Sequence, residues 1–330
     1  MIRMLRIICL FIPIVIGFSA NAHEVRPAFL QIEQTDENSF HVIWKIPATG
    51  MAVPKIYLEL PENWIMTTNN ASLISNALRQ EWNYDVTEKI HGGEITFDGL
   101  QNTIMDVLVT IKMLDGVQFS GLVKPEKPIY IIPETPSIWN ISKTYLVLGV
   151  EHILFGIDHL LFVLALVLIT FGGWRIIKTI TAFTLSHSIT LSMAALGFVH
   201  MPSAPVEAVI ALSILFLAVE LVNYTKGHVG LTAKYPWIVA FIFGLLHGFG
   251  FAGALTEIGL PQTDIPFALA FFNVGVELGQ LAFVIMLLGI IVLMNQIKTK
   301  QKKWIKLAPA YSIGTIAAMW CFERILGFWN

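Results

Sequence analysis

Between Ile138 and the C-terminus, stretches of about 20 or more apolar residues follow one another, and they dominate what this chain can become. They lie near 143–171, 179–199, 206–224, 236–258, 266–295 and 307–328. Segments of that length read as bilayer-spanning helices, about six in all. Composition agrees, with 55% hydrophobic and only 13% charged residues and a mean hydropathy of +0.68. A soluble core cannot bury that much apolar surface. A net charge of −2 argues against a nucleic-acid partner. Cys9 and Cys321 lie in apolar segments without CxxC or metal-ligand spacing, so neither a disulfide framework nor a thiolate site is expected.

Residues 1–22 read as a secretory signal: Arg3 and Arg6 lead, Ile7 to Phe18 are apolar, and Ala20-Asn21-Ala22 forms an A-x-A cleavage site. Cleavage would make His23 the new N-terminus, where its amine and imidazole could chelate a metal. Residues 23–137 are more polar and alternate with period two, as in Phe40, Val42, Trp44, Ile46 and again in Met105, Val107, Val109, Ile111. That pattern predicts antiparallel strands in a small all-β, sandwich-like extracytoplasmic domain. Pro125, Pro128, Pro133 and Pro136 then stiffen the passage into a transmembrane domain over 138–330.

Charge places the ends of the spans. Loops expected inside carry Arg175 and Lys178, Lys226 and Lys234, and Lys298 to Lys306, whereas 200–205 and 261–265 contain no Lys or Arg. The positive-inside rule therefore gives a multi-pass protein with its β-domain and C-terminus outside the cytoplasm. A short echo, Phe155-Gly156-x-x-His159 against Phe243-Gly244-x-x-His247, lies three spans apart and would suit an inverted repeat.

An ionisable side chain near the bilayer centre costs at least ~2.5–3.5 kcal/mol on insertion scales, so each one needs an account. The first span holds Glu151, His152, Asp158 and His159; the second Ser186 and His187; the third Glu220 and Asn223; the fourth His247; the fifth Asn273, Glu277 and Gln280. Asn273, Glu277 and Gln280 share one helix face, as do Thr184, His187 and Thr190, so these stripes face protein or water. His152 and His159 also share a face but stand ~10 Å apart along a straight helix. They can meet on one ion only if the helix unwinds, and Gly156 is the obvious place. Taken singly, a buried His usually bonds a neighbouring helix, and Glu323 with Arg324 reads as a rim ion pair. Taken together, His152, Asp158, His159, His187, His247 and Glu277 suit a divalent transition metal such as nickel, cobalt or zinc, with Asp158 either ligating or orienting an imidazole. Glu151, Ser186, Glu220, Asn223, Asn273 and Gln280 are candidates for the pathway or for supporting the ligands.

The stretch from His152 through Asp158 and His159 resembles the H-x5-D-H motif in the first membrane segment of the HupE/UreJ family, hydrogenase and urease accessory proteins regarded as nickel or cobalt permeases. Phe183-Thr-Leu-Ser-His187-Ser and Phe243-Gly-Leu-Leu-His247-Gly-Phe-Gly extend the likeness, and His23-Glu-Val-Arg-Pro resembles the start of longer members with an exported domain. The resemblance implies a bacterial inner-membrane location with a periplasmic domain, metal recognition by His152, Asp158 and His159, and metalloenzyme maturation proteins as partners. Three functions fit. A permease would pass the ion by Glu277 and His152, hold it at His159, Asp158, His187 and His247, and release it by Glu220 and Asn223. A zinc-dependent intramembrane hydrolase would use the same ligands, with Ser186 assisting, but HExxH and GxSxG are absent. A metal-delivery or assembly factor would act through the β-domain.

Overall fold

The computed structural model describes residues 27–47, 53–74, 77–87, 90–135, 138–170, 172–258, 265–296 and 302–329. The expected signal segment and His23 lie outside the described residues. The N-terminal region is a β-sandwich. Strands β1 (Ala28–Gln34), β2 (Ser39–Pro47), β4 (Trp64–Ile74), β5 (Ala77–Val86), β7 (Val107–Lys112) and β8 (Gln118–Val123) form one sheet in the order β4-β5-β2-β1-β7-β8. A smaller sheet, β3-β6-β9, is built from β3 (Tyr57–Glu59), β6 (Glu94–Asp98) and β9 (Ile129–Ile131). The period-two pattern sends Val42, Trp44, Ile32, Val109 and Ile111 into a core shared with Ile95 and Phe97. The rings of Trp44 and Phe97 meet across the sheets, with centroids 5.4 Å apart. One pairing departs from the expected antiparallel pattern: β1 and β7 run parallel, Phe29 opposite Leu108. Because these strands are distant in sequence, local alternation says nothing about their relative direction.

The C-terminal part is helical: α1 (Ile138–Phe155), α2 (Ile157–Ile169), α3 (Gly173–Ala195), α4 (Ser203–Thr225), the single turn α5 (Leu231–Lys234), α6 (Pro236–Ile258), α7 (Ile265–Gln296) and α8 (Lys302–Leu326). Among the described residues, Ser203–Thr225 and Pro266–Met294 are long and apolar enough to cross a membrane. Trp139–Phe155 with Ile157–Ile169 makes a third if that bent pair counts as one span. Helices stand at the other expected positions, but α3 carries Arg175, Lys178 and His187, and α8 carries Glu323 and Arg324, which lower their apolarity. These helices mark the chain as a membrane protein.

Small residues let helices approach closely. A Cβ on Gly244 would meet the Ser186 hydroxyl and the Phe183 carbonyl, and one on Gly248 the Thr190 hydroxyl and the His187 carbonyl, so α6 lies against α3. Gly149 against Phe272, and Gly275 against Leu146, do the same for α1 and α7. The sandwich docks on α1. Phe29 and Leu108, on the sheet's outer face, pack with Ile141 and Tyr145. Lys124 Nζ donates to Glu151 Oε1 at 2.5 Å.

Candidate metal centre

The centre begins at a helix break. Between α1 and α2, Gly156 adopts φ −74° and ψ 89°, and the axis turns by 70°. Space, not handedness, demands glycine here. A Cβ would lie 2.6 Å from the His152 carbonyl oxygen and 2.9 Å from His159 Nδ1. The turn brings imidazoles that a straight helix would hold ~10 Å apart to a centroid separation of 4.7 Å. The echoed Gly244 does not break its helix; it serves helix contact instead.

Asp158 settles one tautomer. Its Oδ1 accepts the backbone N–H of His159 at 2.8 Å and the ring Nδ1 at 3.0 Å. A carboxylate only accepts, so Nδ1 carries the proton and Nε2 keeps the lone pair that a cation needs. Asp158 thus orients an imidazole, one of the two roles its sequence position allowed.

His187, from α3, completes a trio. One ligand atom each from His152, His159 and His187 lie within 4.8 Å of one another. Three nitrogens bound to one tetrahedral ion at about 2.0–2.1 Å stand about 3.4 Å apart, a spacing inside the 4.8 Å limit of the trio. His187 is fully buried, and Asn273 on α7 is the side chain that hydrogen-bonds its ring. Phe162, Phe183 and Phe272 wall the rings, with Phe183 stacked at 6.0 Å on His187 and Phe272 at 5.5 Å from His152. Apolar walls lower the local dielectric and strengthen any ion–ligand attraction. His247, from α6, stands outside the trio with its ring 5.2 Å from that of His159.

The other candidates sort by position. Helices α3 and α7 run antiparallel: Leu191 and Ala194 cluster with Ala268 and Leu269, Ile176 and Ile180 with Val284. From His187 toward the N-terminus of α3, the polar pairs are Thr184 donating to Gln280 Oε1 at 3.0 Å, then Thr181 donating to Glu277 Oε1 at 2.7 Å. Glu277 therefore lies on the face of α7 turned toward α3, one turn from Gln280. Asn273 donates to the Leu269 carbonyl at 2.8 Å and pairs with the His187 ring, and Gln280 Nε2 is buried without a hydrogen bond among the described residues.

Glu220 and Asn223 stand away from the imidazoles. Glu220 accepts the backbone N–H of Thr232 at 3.0 Å and closes over Gly230, capping the turn α5; Asn223 offers its carbonyl to Lys226 and His228. Ser186 donates to the Phe183 carbonyl at 2.9 Å and is enclosed by Gly244. Arg324 reaches α4, donating to the Glu207 carbonyl at 2.8 Å rather than pairing with Glu323.

Glu151 joins the β-domain to the site. Besides Lys124, it hydrogen-bonds Asp106, the residue preceding β7. Burial, reinforced by the Glu151 carboxylate against the pull of Lys124, pushes the Asp106 carboxyl up to about 7. The Glu151 hydrogen bond raises the Lys124 ammonium in turn. Asp106 and Lys124 escaped the sequence reading because a charge at a strand end normally signifies solvent. No local pattern signals that these two reach the residue beside His152.

A family model described as HupE / UreJ protein matches residues 128–324. That family is linked to nickel and cobalt transport or accessory function. No curated protein matches the chain.

Proposed function

Because the chain belongs to the HupE/UreJ family, we propose that it is a permease for a divalent transition-metal ion, nickel or cobalt, carried as cargo through an intramembrane imidazole site. One observation carries the reading: His152, His159 and His187, from two sides of a helix break and a neighbouring helix, offer ligand atoms within 4.8 Å of one another. Imidazole suits nickel, cobalt and zinc, and three imidazoles inside an apolar helical region need a functional reason.

The helices α1 with α2, α3, α4, α6, α7 and α8 would make six spans in the bacterial inner membrane, with the β-domain on the periplasmic side and lysine-bearing loops inside. The ion would meet Asp106 and Glu151 at the docked β-domain and pass to His152. Thr184 with Gln280 and Thr181 with Glu277 would line one side of the path beside the trio. Such a site has to select tightly and yet release.

Elemental analysis of the purified protein, paired with uptake in cells, tests this. Wild type should carry nickel or cobalt, and His159→Ala combined with His247→Ala should abolish both binding and uptake. Uptake unchanged in that double variant would reject the permease.

A further inference from the structure

His247 has a partner that decides which of its nitrogens can meet a cation. Its ring is fully buried between Phe162 and Phe183, with centroids 4.9 and 5.2 Å away. Nε2 lies 3.0 Å from the hydroxyl of Ser213, on α4. Either atom of that pair could be the donor if the pair stood alone. It does not: the Ser213 hydroxyl also sits 2.6 Å from the carbonyl oxygen of Ile210, one turn back on its own helix. A carbonyl can only accept, and serine has a single proton. The proton therefore goes to Ile210, Ser213 Oγ accepts, and Nε2 is the protonated nitrogen of His247.

The consequence falls on the other side of the ring. In a neutral imidazole with Nε2 protonated, Nδ1 carries the lone pair. Nδ1 of His247 is buried and has no hydrogen-bond partner among the described residues, and the ring is 5.2 Å from that of His159. A lone pair enclosed by aromatic rings and imidazoles, with no donor to it among the described residues, suits a metal cation.

We infer that Ser213 is a positioning residue: it holds His247 in the Nε2–H tautomer and so makes Nδ1 a ligand nitrogen beside the His152–His159–His187 trio. The two flanking imidazoles are then set in complementary ways. Asp158 fixes His159 through Nδ1 and leaves Nε2, while Ser213 fixes His247 through Nε2 and leaves Nδ1. The assignment rests on the metal-carrying reading for its purpose, but the tautomer itself does not.

The test therefore has two arms. In metal-free protein labelled with 15N-histidine, with the His247 signals identified by their loss in His247→Gln, the expected form is Nε2–H; protonation on Nδ1 overturns the assignment. In the second arm, cobalt and nickel are titrated into wild type, Ser213→Ala and Ser213→Thr, each first shown to be folded by its melting transition. Loss of such an orienting partner typically weakens metal binding about 10–100-fold, and that is expected for Ser213→Ala, with Ser213→Thr, which keeps the hydroxyl, restoring it. Wild-type affinity in Ser213→Ala also overturns the proposal. If wild type binds neither metal, the permease reading falls, and the tautomer arm still decides the role of Ser213.

Discussion

Replacing Gly156 with alanine probes the helix break directly. The added Cβ would sit 2.6 Å from the His152 carbonyl oxygen and 2.9 Å from His159 Nδ1. Against an optimal separation of about 3.5 Å, these contacts are short by roughly 0.9 and 0.6 Å. Neither neighbour yields freely. The carbonyl accepts the Gly156 N–H at 2.9 Å, and the ring is held by Asp158 at 3.0 Å. A metal site tolerates about 0.5 Å of displacement in its ligands, so Gly156→Ala should weaken nickel or cobalt binding tenfold or more. Overpacking should cost about 1–3 kcal/mol. Gly289→Ala on α7 is the matched control, because a Cβ there meets open space. It should leave metal binding unchanged and raise stability slightly. Cobalt titration followed by its visible absorption, with melting temperatures in the same detergent, reads both quantities. Gly156→Ala with wild-type affinity and wild-type melting would refute the argument that this glycine brings His152 and His159 together.

Further outcomes follow from single contacts. Asp158→Asn keeps an acceptor but loses the charge that holds His159 Nδ1–H, so metal affinity should fall about 10–100-fold with little change in melting; an unchanged titration curve would mean Asp158 does not orient the ring. Glu220→Ala removes the acceptor for the Thr232 N–H and should cost about 1–3 kcal/mol of stability while leaving metal affinity intact. A large affinity loss in that variant would return Glu220 to the metal pathway. The raised Asp106 carboxyl makes stability depend on pH. Its folded value of about 7 lies above the ordinary 3.8, so the folded protein holds this proton more tightly. That contribution is full below about pH 4, is lost as pH rises toward 7, and is flat above. Melting temperatures across this range should show the decline in wild type, and Asp106→Asn should flatten it; an identical slope in the variant would assign the pH dependence to other groups.

How much of this was legible beforehand depends on the range of the forces involved. The sandwich was readable because alternation along Phe40–Ile46 and Met105–Ile111 reflects burial residue by residue. The helical half was readable because its apolar runs exceed what water tolerates, and Gly156 stood out because one helix face carried two histidines that only a break could unite. Partner choice was not readable. Neither spacing nor composition says that Arg324 seeks Glu207 or that Glu220 caps Thr232.

The chain's own order of residues determined its two-part build, its need for lipid and the helix on which two of the imidazoles lie, because local periodicity and transfer free energy are summed along the backbone. Tertiary structure alone decided that His187 closes on His152 and His159, that Ser213 faces His247, and that Asp106 and Lys124 reach Glu151 from another domain. Hydrogen bonds and ring contacts act over a few ångströms, and residues far apart in sequence come within that distance only when helices and sheets pack.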